Sequence, residues 1–142
     1  MFRLHVGQAL AAHLYDVGVT PPVSWASGSN AARSIREREA PWEARVSDVI
    51  GEMSVLWIGV PDDPGPDSLR GYIERNCIAL LSNHGRDPID PPSASWRGHH
   101  ARAPQIRSSG LWNVNHITEH HDRQVLDELA NAIAATVQIP AT

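Results

Sequence analysis

No lysine occurs in this chain, so all 12 of its basic residues are arginine, and they are outnumbered by 16 acidic residues to leave a formal charge of -4. A polyanion-binding surface spread over the whole molecule is thereby excluded, and any contact with nucleic acid must come from a local cluster. Cysteine is limited to Cys77, which removes a disulfide framework and a cysteine-based zinc site. No apolar run approaches the roughly 18 to 20 residues of a membrane span, and Met1–Tyr15 lacks the tripartite layout of a secretory leader. The expectation is a soluble, cytoplasmic protein with no membrane contact. What is present is a chain of 142 residues, 42% hydrophobic and 20% charged, with 11 Pro and 10 Gly. That composition suits a single globular domain, 1–142, with long irregular connections.

Phe2, Val6, Leu10 and Leu14 recur four apart and predict a helix over Phe2–Tyr15, interrupted only by Gly7. Thr20-Pro21-Pro22 and the Ser/Gly/Asn-rich stretch 24–30 predict an exposed connection. A short surface helix is expected at Ala31–Glu39, and a second beginning at Pro41, carrying Trp42, Val46, Val49 and Ile50, and stopped by Gly51. Met53–Val60 is almost continuously apolar, β-branched or aromatic, closes on a Pro/Asp/Gly cluster, and predicts a strand buried on both faces. Leu69, Tyr72, Ile73, Cys77, Leu80 and Leu81 predict a helix across Asp67–Asn83, with Asp67 or Ser68 as its N-cap. A long irregular loop is expected at 84–109, a weak strand at Trp112–His116, and a closing helix from Asp122 to about Val137 that buries Val125, Leu126, Leu129, Ile133 and Val137. The fold class read from these elements is α/β, mostly helical around one central buried strand.

That count contains a conflict. A lone strand leaves its amides, carbonyls and side chains without partners. Val17–Val19 and Trp112–Ile117 are the only candidates within the chain. Either one of them pairs, or the partners come from upstream sequence or from another chain.

Three constellations could carry chemistry. Glu74 projects from the edge of the apolar stripe of its helix, where one carboxylate can serve Mg²⁺ whose other positions are filled by water and substrate phosphate, or can simply pair with Arg70 in solvent. His116-Ile117-Thr118-Glu119-His120 matches the H-x-x-E-H zinc pattern, which works only on a helix, and Asn113-Val114-Asn115 before it is poor helix material. The stretch from Arg97 through Arg102 to Arg107 holds three Arg, two His and no acid, so it is either a phosphate-contacting patch or an ordinary solvated loop. Trp57, Trp96 and Trp112 fit packing anchors better than base-stacking platforms.

Leu56-Trp57-Ile58-Gly59-Val60, the run Tyr72-Ile73-Glu74-Arg75-Asn76-Cys77-Ile78-Ala79-Leu80-Leu81-Ser82-Asn83, then Asp90-Pro91-Pro92-Ser93 and Ser109-Gly110-Leu111-Trp112-Asn113-Val114-Asn115-His116 together resemble the C-terminal part of a bacterial GIY-YIG-domain protein family. The likeness runs from about Phe2 to the closing helix. It implies a small α/β nuclease fold with a three-stranded antiparallel sheet in which Met53–Val60 is the third strand. It also implies DNA as substrate, and Glu74 as the catalytic residue that holds one Mg²⁺ against the scissile phosphate. A family asparagine near the end of the domain is matched by Asn83 or, less well, by Asn76. The two name-giving strands, their tyrosine and the arginine on the helix that follows have no counterpart here. The expectation is therefore the metal-side, C-terminal portion of a larger, truncated GIY-YIG-like endonuclease domain, incomplete or inactive as this chain. The alternatives are a non-catalytic interaction module that completes a partner's sheet, and a zinc hydrolase using His116, Glu119 and His120.

Overall fold

The computed structural model of the chain describes residues 1–26 and 31–137, so part of the expected connection 24–30 and the side chain of Val137 fall outside the described residues. Five helices organise it: α1 (Phe2–Leu14), α2 (Arg33–Gly51), α3 (Leu69–Leu81), α4 (Pro104–Ser109) and α5 (Val125–Val137), with 3-10 turns at Tyr15–Val17 and Arg97–His100.

The four-residue spacing in α1 does what amphipathic spacing requires. Val6 and Leu10 are buried against Trp42 and Val46 of α2, with Trp25 and Val49 packed around them. Gly7 is more than a flaw in that stripe: a Cβ there would lie 2.3 Å from Trp25 Cη2, so the missing side chain is the space the indole occupies. On its neighbouring face α1 packs Ala9 against Ala101 and Ile106, with Trp96 and Trp112 alongside. A third cluster joins α3 to α5 through Ile73, Val125 and Ala132, flanked by Val60, Tyr72, Cys77 and Leu129. Leu126 and Ile133, expected inside, lie half exposed instead, since among the described residues α5 packs mainly on α3.

Pro41 does not begin a helix. It sits inside α2, which runs unbroken from Arg33, so the two expected helices are one. An interior proline removes its own amide bond and crowds the carbonyl of the fourth residue back, so the helix runs through it only with support from its neighbours, here the Arg33 to Glu37 pair ahead and the buried Trp42 and Val46 behind. The loop expected at 84–109 contains the 3-10 turn at Arg97–His100 and all of α4, which starts on Pro104 and stops on the left-handed Gly110.

The α/β fold class is corrected by the structure: no strand or sheet exists among the described residues, and Met53–Val60 is not a central buried strand. The segment is irregular and outward-facing, with Val55 80%, Leu56 97% and Trp57 66% exposed. Of its amides between Ser54 and Val60, only that of Gly59 has a partner among the described residues, the Thr136 hydroxyl at 2.7 Å. The reason is the conflict already visible in its neighbours. Tyr15–Val17 is a 3-10 turn, and 112–117 is a series of bends that places His116 at φ 60, so neither can form a ladder. The chain accordingly exposes 10028 Å², where a compact monomer of 15.5 kDa exposes about 7200 Å². No helix among the described residues is long and apolar enough to cross a membrane.

Candidate functional site

Helix α3 carries the residues on which a site can be built. Ser68 is its N-cap: the hydroxyl accepts from the Gly71 amide at 3.2 Å, which settles the sequence choice between Asp67 and Ser68. From that fixed start, Ile73, Asn76 and Ala79 face inward and Glu74 and Arg75 face outward.

Glu74 is exposed, and its carboxylate forms no hydrogen bond or ion pair with any described residue. The Arg70 to Glu74 pair is not made. Arg70 turns back to Asp62, donating from Nε at 3.2 Å and from its backbone amide at 3.1 Å, and it also donates to the Asp62 carbonyl at 2.5 Å. The Arg70 amide, helped by its guanidinium, holds the Asp62 carboxyl below its ordinary range.

One helical turn around, a cavity of about 600 Å³ opens beside the N-terminal half of α3, lined by Asp67, Tyr72, Arg75, Asn76, His120 and Asp122 among others. Asn76 is buried and structural. Its Oδ1 accepts from the Asp122 amide at 2.7 Å, and its Nδ2 donates to the Tyr72 carbonyl at 2.9 Å, so the 120–122 turn is clasped to the helix. The Tyr72 hydroxyl is enclosed without a hydrogen bond of proper geometry. Its burial, with the nearby Asp122 and Glu128 carboxylates, pushes the phenol pKa up, so the group stays protonated. Sequence reasoning placed Tyr72 only in the apolar stripe and His120 only in the H-x-x-E-H stretch, and it did not bring either together with Arg75. The spacing of Tyr72, Arg75 and Asn76, three and four apart, does mark one face of a helix, but His120 is brought beside them only by the fold.

The H-x-x-E-H stretch is not a zinc site in this structure. Residues 116–120 form a turn, not a helix, and no group of three or more His, Cys, Asp or Glu that could hold a metal exists among the described residues. Glu119 is already engaged, with His116 Nδ1 2.8 Å from its Oε1 and Arg75 Nε donating to its Oε2 at 2.6 Å. Those two partners hold the Glu119 carboxyl below its ordinary range.

The three arginines of the basic stretch separate in role. Arg107 donates to the carbonyls of Ala101, at 2.5 Å, and Arg102, at 3.1 Å, and so ties its own loop. Arg102 is exposed. Arg97 borders a second cavity, about 440 Å³, shared with Trp96, Trp112, Glu52 and Met53. Asn83 is also a tie: its amide donates to Ser109 O at 2.9 Å and its Nδ2 to Asp90 O at 3.2 Å. Its Oδ1 is buried and has no hydrogen-bond partner among the described residues. Glu74 and these arginines therefore lie on different elements, and Glu74 is not among the residues lining either cavity.

A family model for the GIY-YIG domain matches residues 1–139. No curated protein and no solved structure gives a significant match.

Proposed function

Because the chain belongs to the GIY-YIG domain family, matched across 1–139, we propose that it supplies the metal-binding side of a DNA phosphodiesterase site, with Glu74 as the Mg²⁺ ligand. The observation that carries this reading is the unspent carboxylate of Glu74 on the solvent face of α3, left free because Arg70 is drawn to Asp62. A single exposed oxygen donor fits a hard ion that keeps several waters and takes its remaining positions from substrate phosphate; it does not fit an ion held tightly by protein alone. When bound, Mg²⁺ would neutralise charge on the phosphate. Arg97 and Arg102 would contact the DNA backbone, while Arg107 and Asn83 hold the loops that present them. A second group is needed to activate the nucleophile. It would come with strands that dock along Val55–Ile58.

The test is DNA affinity by fluorescence anisotropy with and without Mg²⁺, beside plasmid nicking. The expected result is tighter binding with Mg²⁺, lost in Glu74→Ala, and background nicking by the 142-residue chain. Equal Mg²⁺ dependence in Glu74→Ala would refute the ligand. Robust nicking by the chain alone would keep Glu74 but show that docked strands are dispensable.

A second reading is a non-catalytic module that completes a partner's sheet by strand addition. It is favoured by the exposure of Val55, Leu56 and Trp57 and by the excess surface of the chain. Concentration-dependent oligomers without nuclease activity would support it over the first.

A further inference from the structure

Away from α3, two histidines distant in sequence are brought together. His13 lies in the last turn of α1 and His100 ends the 3-10 turn Arg97–His100. Their facing ring nitrogens, His13 Nδ1 and His100 Nε2, are 3.3 Å apart, with ring centroids separated by 4.9 Å and planes tilted by 53°. Neither ring makes another hydrogen bond among the described residues, and both are exposed. Their backbones are held in place from beneath, because Ala9 and Ala101 are both buried in one cluster with Ile106. Gly98, at the middle of the turn, is locked under the Trp96 indole.

We propose that His13 and His100 form a two-ligand, readily exchanged binding site for a divalent transition ion of the zinc class, with water in its remaining positions; it is a weaker kind of site than the groups of three or more protein ligands that are absent among the described residues. Two imidazole nitrogens bound tetrahedrally to zinc at about 2.0 to 2.1 Å stand roughly 3.3 Å apart, so the observed separation suits chelation once each exposed ring turns to aim its nitrogen at a common point. Without metal the same contact is an N–H···N hydrogen bond that needs a proton on one of the two nitrogens. The ion replaces that hydrogen bond: both rings bind in the neutral form, and the proton of the donor nitrogen passes through solvent to the other nitrogen of the same ring, so none is released overall. Imidazole ligands select Zn²⁺, Ni²⁺ or Cu²⁺ over Mg²⁺, which separates this site from the one proposed at Glu74. Bridging residues 87 apart, the ion would staple α1 to the turn that begins at Arg97 and hold that arginine's segment against the helix.

The experiment is calorimetric titration of the full chain with Zn²⁺ near neutral pH, paired with thermal unfolding over a Zn²⁺ series. The expected result is one ion per chain and a melting temperature that rises with Zn²⁺. His13→Asn and His100→Asn should each weaken binding about tenfold or more, and the double variant should be no worse than either alone, since a chelate needs both rings. Both side chains are exposed, so circular dichroism should show the variants folded. Binding that survives His13→Asn, or that disappears only in His116→Asn or His120→Asn, would overturn the proposal.

Discussion

Replacing Leu56 by Asp separates what the isolated chain needs from what a partner would need. Leu56 is 97% exposed, so the substitution removes almost no buried area, and the stability of the dilute chain should change by less than about 0.5 kcal/mol. The contrast is Ile106→Ala. That side chain is fully buried between α1 and α4, and its truncation should cost about 2–5 kcal/mol. If a strand covers Val55–Ile58, burying Leu56 contributes about 1.5–3 kcal/mol to association, and Leu56→Asp would weaken that association roughly 10- to 150-fold. Urea unfolding at low concentration reads the first quantity, and sedimentation velocity over a concentration series reads the second. A loss of more than about 2 kcal/mol in the dilute Leu56→Asp chain would refute the reasoning, since it would mean that this side chain is covered by its own fold.

Gly98→Ala places a Cβ 2.1 Å from Trp96 Cζ2 and must displace an indole packed on Trp112, so it should destabilise the chain by about 1–3 kcal/mol and change the near-ultraviolet dichroism. Ser68→Ala removes the cap of α3 and should cost about 0.5–2 kcal/mol in urea unfolding; an unchanged midpoint would show that the Gly71 amide needs no side-chain acceptor. The Glu119 carboxyl is lowered by His116 and Arg75, so its folded-state value lies below the unfolded one; its contribution is present above an unfolded pKa of about 4.3 and is lost as pH falls through the folded value. Urea midpoints between about pH 6 and pH 3 should therefore fall, and Glu119→Gln should flatten part of that slope.

Where local sequence decides structure, the reading of the chain held. The Phe2, Val6, Leu10, Leu14 spacing gives α1, the stripe from Leu69 to Leu81 gives α3, and Ser68 caps it, because periodicity and capping are properties of a single segment. Met53–Val60 failed as a strand because its β-branched and aromatic run expresses a preference, whereas a strand is a pairing and requires a second segment that 15–19 and 112–117 do not provide. Pro41 misled for the same kind of reason: a proline suits a helix start, yet the Arg33–Ala40 turns form ahead of it and carry the helix through. The site was legible only to the extent that it lies within α3. The position of Glu74 beside the apolar stripe could be read from periodicity, whereas the role expected of it came from the family likeness; Arg70 choosing Asp62, Arg75 reaching Glu119 and the cavity shared by His120 and Tyr72 all depend on contacts across loops, which no periodicity records.

The cluster beneath α3 and α5 shares no residue with the two clusters around α1. Hydrogen bonds tie the two sides beside the buried Ile117: the Ser82 hydroxyl to Ile117 O at 2.7 Å, the Asn83 amide to Ser109 O at 2.9 Å, and His84 to Ser108 at 2.8 Å. Opening such a seam leaves both apolar interiors intact, so the amides of α3 and α5 are expected to exchange with solvent as one group, separately from those of α1.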